Sequence, residues 1–70
     1  MSPETRFALI DDMLNLAASR LREASEHIRT AQLEGLVDAS AVKRGKDTYS
    51  AVVRLRDDLA SKSGDVLRAK

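Results

Sequence analysis

Residues 7–31 read FALIDDMLNLAASRLREASEHIRTA, and the architecture follows from how their apolar side chains recur. Phe7, Ile10, Leu14, Ala17, Leu21, Ala24, Ile28 and Ala31 are separated alternately by three and four residues. That spacing lines one stripe of an α-helix and marks a seam for a second helix. Large side chains (Phe7, Leu14, Leu21, Ile28) fill one of the two alternating positions. Ile10 and then three alanines fill the other, and alanine there lets two backbones approach closely.

Outward from this run the helix finds its ends. Ser2 is a fitting N-cap and Pro3 suits the first helical position, where its missing N–H costs nothing. Glu4 faces the positive end of the helix dipole. Gly35 is the first glycine or proline after Pro3, and it fits a left-handed cap. Helix 1 is therefore expected over about 3–34, a turn over 35–38, and a second helix, capped by Asp38 or Ser40, over about 39–63. Gly64, beside Ser61 and Ser63, is expected to stop that helix, leaving 64–70 as an extra turn. The apolar line of helix 2 is Gly45, Val52, Leu59 and Val66, with Thr48 and Leu55 beside it.

A short turn makes the two helices antiparallel neighbours. Folding the chain about Asp38 sets Ala31 opposite Gly45, Ala24 opposite Val52, Leu21 opposite Leu55 and Ala17 opposite Leu59. Small residues then face larger ones, and only Leu14 against Lys62 is a poor match. The expected fold is all-α: one domain, an antiparallel two-helix hairpin that dimerises into a four-helix bundle-like assembly.

Composition supports a folded helical chain and removes several classes of function. Leu, Ile, Val and Phe number 17 of 70 residues and the net charge is +1, which is unlike a disordered chain. Aromatics are limited to Phe7 and Tyr49. With no Cys, a disulfide staple is excluded, and with His27 as the one histidine a structural zinc has no ligand set. A chain this short buries only about 60% of its unfolded surface. Oligomerisation is the remaining remedy for a small core. The uncharged stretch from Met13 to Ser19 is far shorter than the roughly 20 residues of a membrane span. Met1 to Glu4 lacks the basic start of a secretory signal. A cytoplasmic chain is expected, and its Arg- and Ala-rich usage resembles that of proteins from GC-rich bacteria and their phages.

Helix 1 carries a second apolar line, Leu9, Met13 and Leu16, off the first seam. A hairpin offers helix 1 one partner helix, so this line stays wet unless another chain covers it or Val66 and Leu67 fold back over it. Residues 65–70 are too few for the latter. Leu9, Met13 and Leu16, with Arg20 one turn beyond as a rim contact, are therefore the expected self-association or partner face.

Charge is uneven. Residues 1–34 carry four Arg and six acids, whereas residues 35–70 carry eight Lys or Arg and five acids. Lys43, Arg44, Lys46 and Arg54 are candidate contacts to phosphate or to an acidic protein. The competing expectation is a solvated face with intrahelical pairs such as Lys43–Asp47, Arg54–Asp58 and Asp58–Lys62. Ala31 to Val37 followed by Ser40 to Arg44 resembles a helix-turn-helix. Thr30, Glu34 and Arg44 stand where that motif buries apolar side chains, and its third helix has no counterpart here.

Catalysis has no support in these residues. His27 has Glu23 and Glu26 nearby but no second histidine, and Gly35, Gly45 and Gly64 are isolated rather than a phosphate loop. No cofactor, metal or membrane is expected. The sequence reads as a non-enzymatic protein–protein interaction module, a homodimer acting as a regulator, inhibitor or chaperone of a larger protein. The alternative is a dimeric nucleic-acid-binding regulator using the basic cluster of helix 2. An interfacial membrane helix over 7–18 is opposed by Asp11 and Asp12.

Overall fold

The computed structural model describes residues 2–69, which form α1 (Pro3–Leu33) and α2 (Ala39–Arg68). The two helices pack against each other as an antiparallel hairpin, a rod of 54 × 16 × 12 Å. There is no strand among the described residues.

Each helix start is capped by the side chain its sequence supplies. The Thr5 backbone N–H donates to Ser2 Oγ at 3.2 Å, and Pro3 opens the first turn. At α2, Asp38 Oδ1 accepts from the Ser40 and Ala41 N–H groups at 3.1 and 3.3 Å and from Ser40 Oγ at 2.6 Å. These donors, with the Ser40 hydroxyl foremost, hold the Asp38 carboxyl below its ordinary value of 3.8.

Gly35 closes α1. Its φ of 78° is left-handed backbone that a side chain would strain. The Leu36 N–H donates to the Ala31 carbonyl at 2.9 Å, and the Gly35 N–H to the Gln32 carbonyl at 3.0 Å. This pair of bonds is the Schellman arrangement. Leu36 itself is 74% exposed, so the apolar contact that often accompanies the motif is missing here.

The turn therefore spans 34–38 and is centred on Leu36, not on Asp38. That moves the register by about one helical turn from the expected pairing. A Cβ placed on Gly45 would lie 3.3 Å from Ser25 Oγ and 3.4 Å from Ile28 Cδ1, so Gly45 sits over this pair rather than over Ala31. Further along, Arg56 Nη1 donates to Asn15 Oδ1 at 2.9 Å.

The seam is also rotated. On α1 the covered line is Phe7, Asp11, Leu14, Ala18, Leu21, Ser25, Ile28 and Gln32, with Ile10, Ala17 and Ala31 at its flank. Ala18 is the one buried residue among those described, at 5% exposure, and Ala24 is exposed. On α2 the line is Val42, Gly45, Tyr49, Val52, Arg56, Leu59, Ser63 and Val66, while Thr48 and Leu55 lie outside it. Both lines keep the seven-residue period, and the four large residues Phe7, Leu14, Leu21 and Ile28 remain on the seam, half-buried. What changes is the flank that accompanies them. Turning α2 this way keeps Lys62 exposed, avoiding the poor match with Leu14. Tyr49 and Arg56 take its place at the edge, where long side chains can cover apolar surface and keep their polar ends wet.

The helix 2 boundary differs as well. α2 passes through Gly64 to Arg68 and does not stop near Ser63. Arg68 Nε donates to the Gly64 carbonyl at 3.1 Å and Arg68 Nη2 pairs with Asp65 at 3.0 Å. Val66 and Leu67 are half-buried, so this last stretch continues the seam.

Two outcomes follow from this packing. Ala18→Leu should overpack the seam and cost about 1–3 kcal/mol, whereas Ala24→Leu should shift stability by no more than about 0.5 kcal/mol. Thermal melts of the two variants check this, and the opposite ranking would restore the unrotated seam. The second outcome concerns acid. The stability contributed by the depressed Asp38 carboxyl is present above its unfolded value and is lost as pH falls through its lower folded value. Asp38→Asn, which caps without titrating, should flatten that part of an acid titration followed by circular dichroism.

Candidate functional site

Two surfaces stand out, and helical spacing separates them: the first lies on the face of α1 turned away from α2, the second along one edge of the seam. The first is apolar. Leu9, Met13 and Leu16 are exposed, Met13 at 68% and Leu16 at 60%. The C-terminal residues do not fold back over them, because they extend α2 instead. Leu55 joins this side from α2 and is also exposed. The Asn15–Arg56 hydrogen bond sets the relative heights, so the next residues, Leu16 and Leu55, stand at about the same level. Ala17 and Ala24, on the flank between the outer apolar line and the seam, give this side a low profile. Arg20 is exposed and pairs with Glu23 on its own helix at 3.4 Å.

The second surface carries two shallow grooves. One, of about 340 Å³, runs past Phe7, Asp11, Leu14, Arg56 and Leu59. A polar chain crosses it. Asn15 Nδ2 donates to Asp11 Oδ2 at 3.1 Å, Asn15 Oδ1 accepts from Arg56, and Arg56 pairs with Asp57 at 3.3 Å. The second groove, of about 420 Å³, lies nearer the turn and is lined by Arg22, Glu26, Arg29, Val42, Lys46 and Tyr49, with Ser25 and Ser50. Here Tyr49 and Arg22 face one another across the groove, and Tyr49 raises the guanidinium above its ordinary value.

The structure does not gather the basic cluster of α2 into one patch. Lys43, Arg44, Lys46 and Arg54 are all exposed. Lys46 turns toward the second groove, while Lys43 and Arg54 lie on the outward face with Asp47, Asp57 and Asp58 between and after them. The expected pairs Lys43–Asp47, Arg54–Asp58 and Asp58–Lys62 are not among the ion pairs of the described residues. All five side chains are exposed, where such pairs are worth little.

That Arg22, Arg29 and Tyr49 line one groove is not anticipated by the sequence analysis. Arg22 and Arg29 are seven apart, so they share one face of α1, and that spacing was the available signal. Nor are the apolar side chains at the turn anticipated, where Leu33 is 84% exposed and Leu36 is exposed beside it.

The remaining chemistry is sparse. Among the described residues no group of three His, Cys, Asp or Glu side chains could hold a metal ion. His27 is exposed on α1. No helix among the described residues is long and apolar enough to cross a membrane. The resemblance of residues 31–44 to a helix-turn-helix does not carry over to the fold, since α1 is 31 residues long and its partner runs back along it. The chain matches no family model, no curated protein and no solved structure.

Exposure of the basic residues leads to a direct expectation. Changing Lys43, Arg44 and Arg54 together to Gln should leave helicity unchanged and move stability by less than about 0.5 kcal/mol per site. Circular dichroism and denaturant melts check it, and a large loss would mean that these side chains hold the fold.

Proposed function

We propose that this chain is a non-enzymatic protein–protein interaction module, a helical hairpin that self-associates through Leu9, Met13, Leu16 and Leu55 and acts on a larger protein. The observation that carries this reading is the mismatch between core and surface. Among the described residues Ala18 alone is buried, while three large apolar side chains on one face of α1 are open to water. Covering each of them would contribute at most about 1.5–3 kcal/mol, so the three together approach the whole stability of a small domain.

Area leads the same way. The chain exposes 5367 Å² at 7.7 kDa. A compact monomer of that mass exposes about 4,300 Å², so roughly 1,000 Å² is in excess. A stable protein–protein interface needs about 800 Å² from each partner. A second copy laid against the apolar side would remove an area of that size and complete a four-helix arrangement. Twofold symmetry is the natural form, because one self-complementary patch then serves both copies.

Such a module has the character of a small regulator, inhibitor or chaperone. Its action lies in occupying a surface. A dimeric nucleic-acid-binding regulator has weaker support, because acids interleave with Lys43 and Arg54 along the outer face of α2.

Sedimentation tests the reading. The wild type should be a dimer whose melting temperature rises with protein concentration. Leu9→Glu combined with Leu16→Glu should abolish self-association, and should unfold the chain if the hairpin depends on its copy. A wild-type monomer with concentration-independent melting would refute self-association.

A further inference from the structure

We propose that the groove lined by Arg22, Arg29, Lys46, Val42 and Tyr49 takes an acidic amphipathic helix from a partner protein, as the third helix of a mixed bundle. The inference rests on the interaction-module reading but uses a different face of the hairpin, which shares no lining residue with the apolar one.

The charges come first. Arg22, Arg29 and Lys46 line the groove against a single carboxylate, Glu26. None of these four takes part in an ion pair among the described residues. The local balance is therefore two positive charges in a chain whose net charge is only +1. Lys46 and the two arginines come from different helices, and the hairpin register alone brings them together.

Shape and floor then select the kind of anion. The groove lies along the edge of the seam, and its floor is the Val42 side chain and the half-buried Tyr49. A small phosphate would engage the cations and leave that floor wet. A helix would cover both, since an apolar stripe can lie on Val42 and Tyr49 while carboxylates beside it meet the rim. A trough between two packed helices also suits a third, whose axis would sit about 8–10 Å away.

Spacing agrees with this occupant. Arg22 and Arg29 are seven residues apart, so their attachment points are about 10.5 Å apart along α1. Acids at positions i and i+7 of a partner helix have the same separation. Lys46 stands across the groove at the level of Ser25, between the two arginines, where an acid at i+3 or i+4 would meet it. Arginine forks bind carboxylates through paired hydrogen bonds, and arginine and tyrosine are the residue types that concentrate energy at interfaces.

The test uses the full chain and a designed peptide about three heptads long. The peptide carries a leucine stripe flanked by Glu at the spacing described, and a second peptide has every Glu replaced by Gln. Binding is followed by fluorescence anisotropy and by amide shifts in NMR spectra. The acidic peptide should bind at least about tenfold more tightly than the neutral one, weaken as salt rises, and shift Val42, Lys46 and Tyr49. Arg22→Gln combined with Lys46→Gln should remove that preference while helicity and sedimentation stay as in the wild type. Arg29→Gln, which leaves the Arg22–Tyr49 neighbourhood intact, gives the same reading if the double variant fails to fold.

Equal binding of the two peptides would overturn the proposal, as would shifts confined to Leu9, Met13 and Leu16. A DNA duplex that displaced the acidic peptide and shifted the same groove residues would overturn it in favour of nucleic acid. Self-association is read separately. If the wild type proves monomeric yet binds the acidic peptide, the apolar-face reading fails and the groove stands. If it is dimeric and shows no preference between the peptides, the reverse holds.

Discussion

The close approach of α1 and α2 around Ala18 and Gly45 governs what the hairpin can bury. Gly45 lies against Ser25 and Ile28 with no side chain between, and Ala18 fills the one buried position among the described residues. Small residues make this seam narrow, and a narrow seam has little volume to fill. The large residues of α1 are therefore only partly covered, and the hairpin lacks a deep core of its own. Two long helices joined this way form a rod, a shape that exposes far more surface than a sphere of equal mass. The apolar side of α1 and the basic groove are both consequences of that geometry.

Turn chemistry sets the register. Two backbone bonds onto the Ala31 and Gln32 carbonyls and a positive φ at Gly35 end α1 at Leu33, and the Asp38 side chain starts α2 at once. With both ends fixed, the helices can slide very little. The hydrogen bond from Arg56 to Asn15, far from the turn, agrees with the same alignment. It is exposed and contributes modestly to stability, but it gives an arginine at the seam edge a polar partner across the helices while Asp57 partners its charge.

Rotation of the seam divides the surface into two unlike sides. With Tyr49 and Arg56 at one edge, polar and cationic side chains collect there. At the other edge lie alanines, Thr48 and Leu55, with Leu9, Met13 and Leu16 beyond them. An interaction module with two chemically different sides can hold a copy of itself on one and a different partner on the other. The mutations that test the two sides share no residue, so each can be disabled alone.

The heptad rhythm of residues 7–31, the Ser2 and Asp38 caps and the Gly35 stop are local features. They were legible because capping and helical periodicity depend on neighbours within a turn or two. The exposed line Leu9, Met13 and Leu16 was legible for the same reason: a stripe off the main seam can be counted without knowing what packs on it. Which flank accompanies Phe7, Leu14, Leu21 and Ile28 was not, because Ala17 and Ala24 on one side and Ala18 and Ser25 on the other are equally small. The choice depends on what α2 presents, and Tyr49, Arg56 and Lys62 compete for that edge only once the helices meet. Nor could spacing along one helix join Lys46 to Arg22 and Arg29. Their meeting depends on a turn centred at Leu36 rather than two residues later, and a shift that small moves every cross-helix pair by about a full turn.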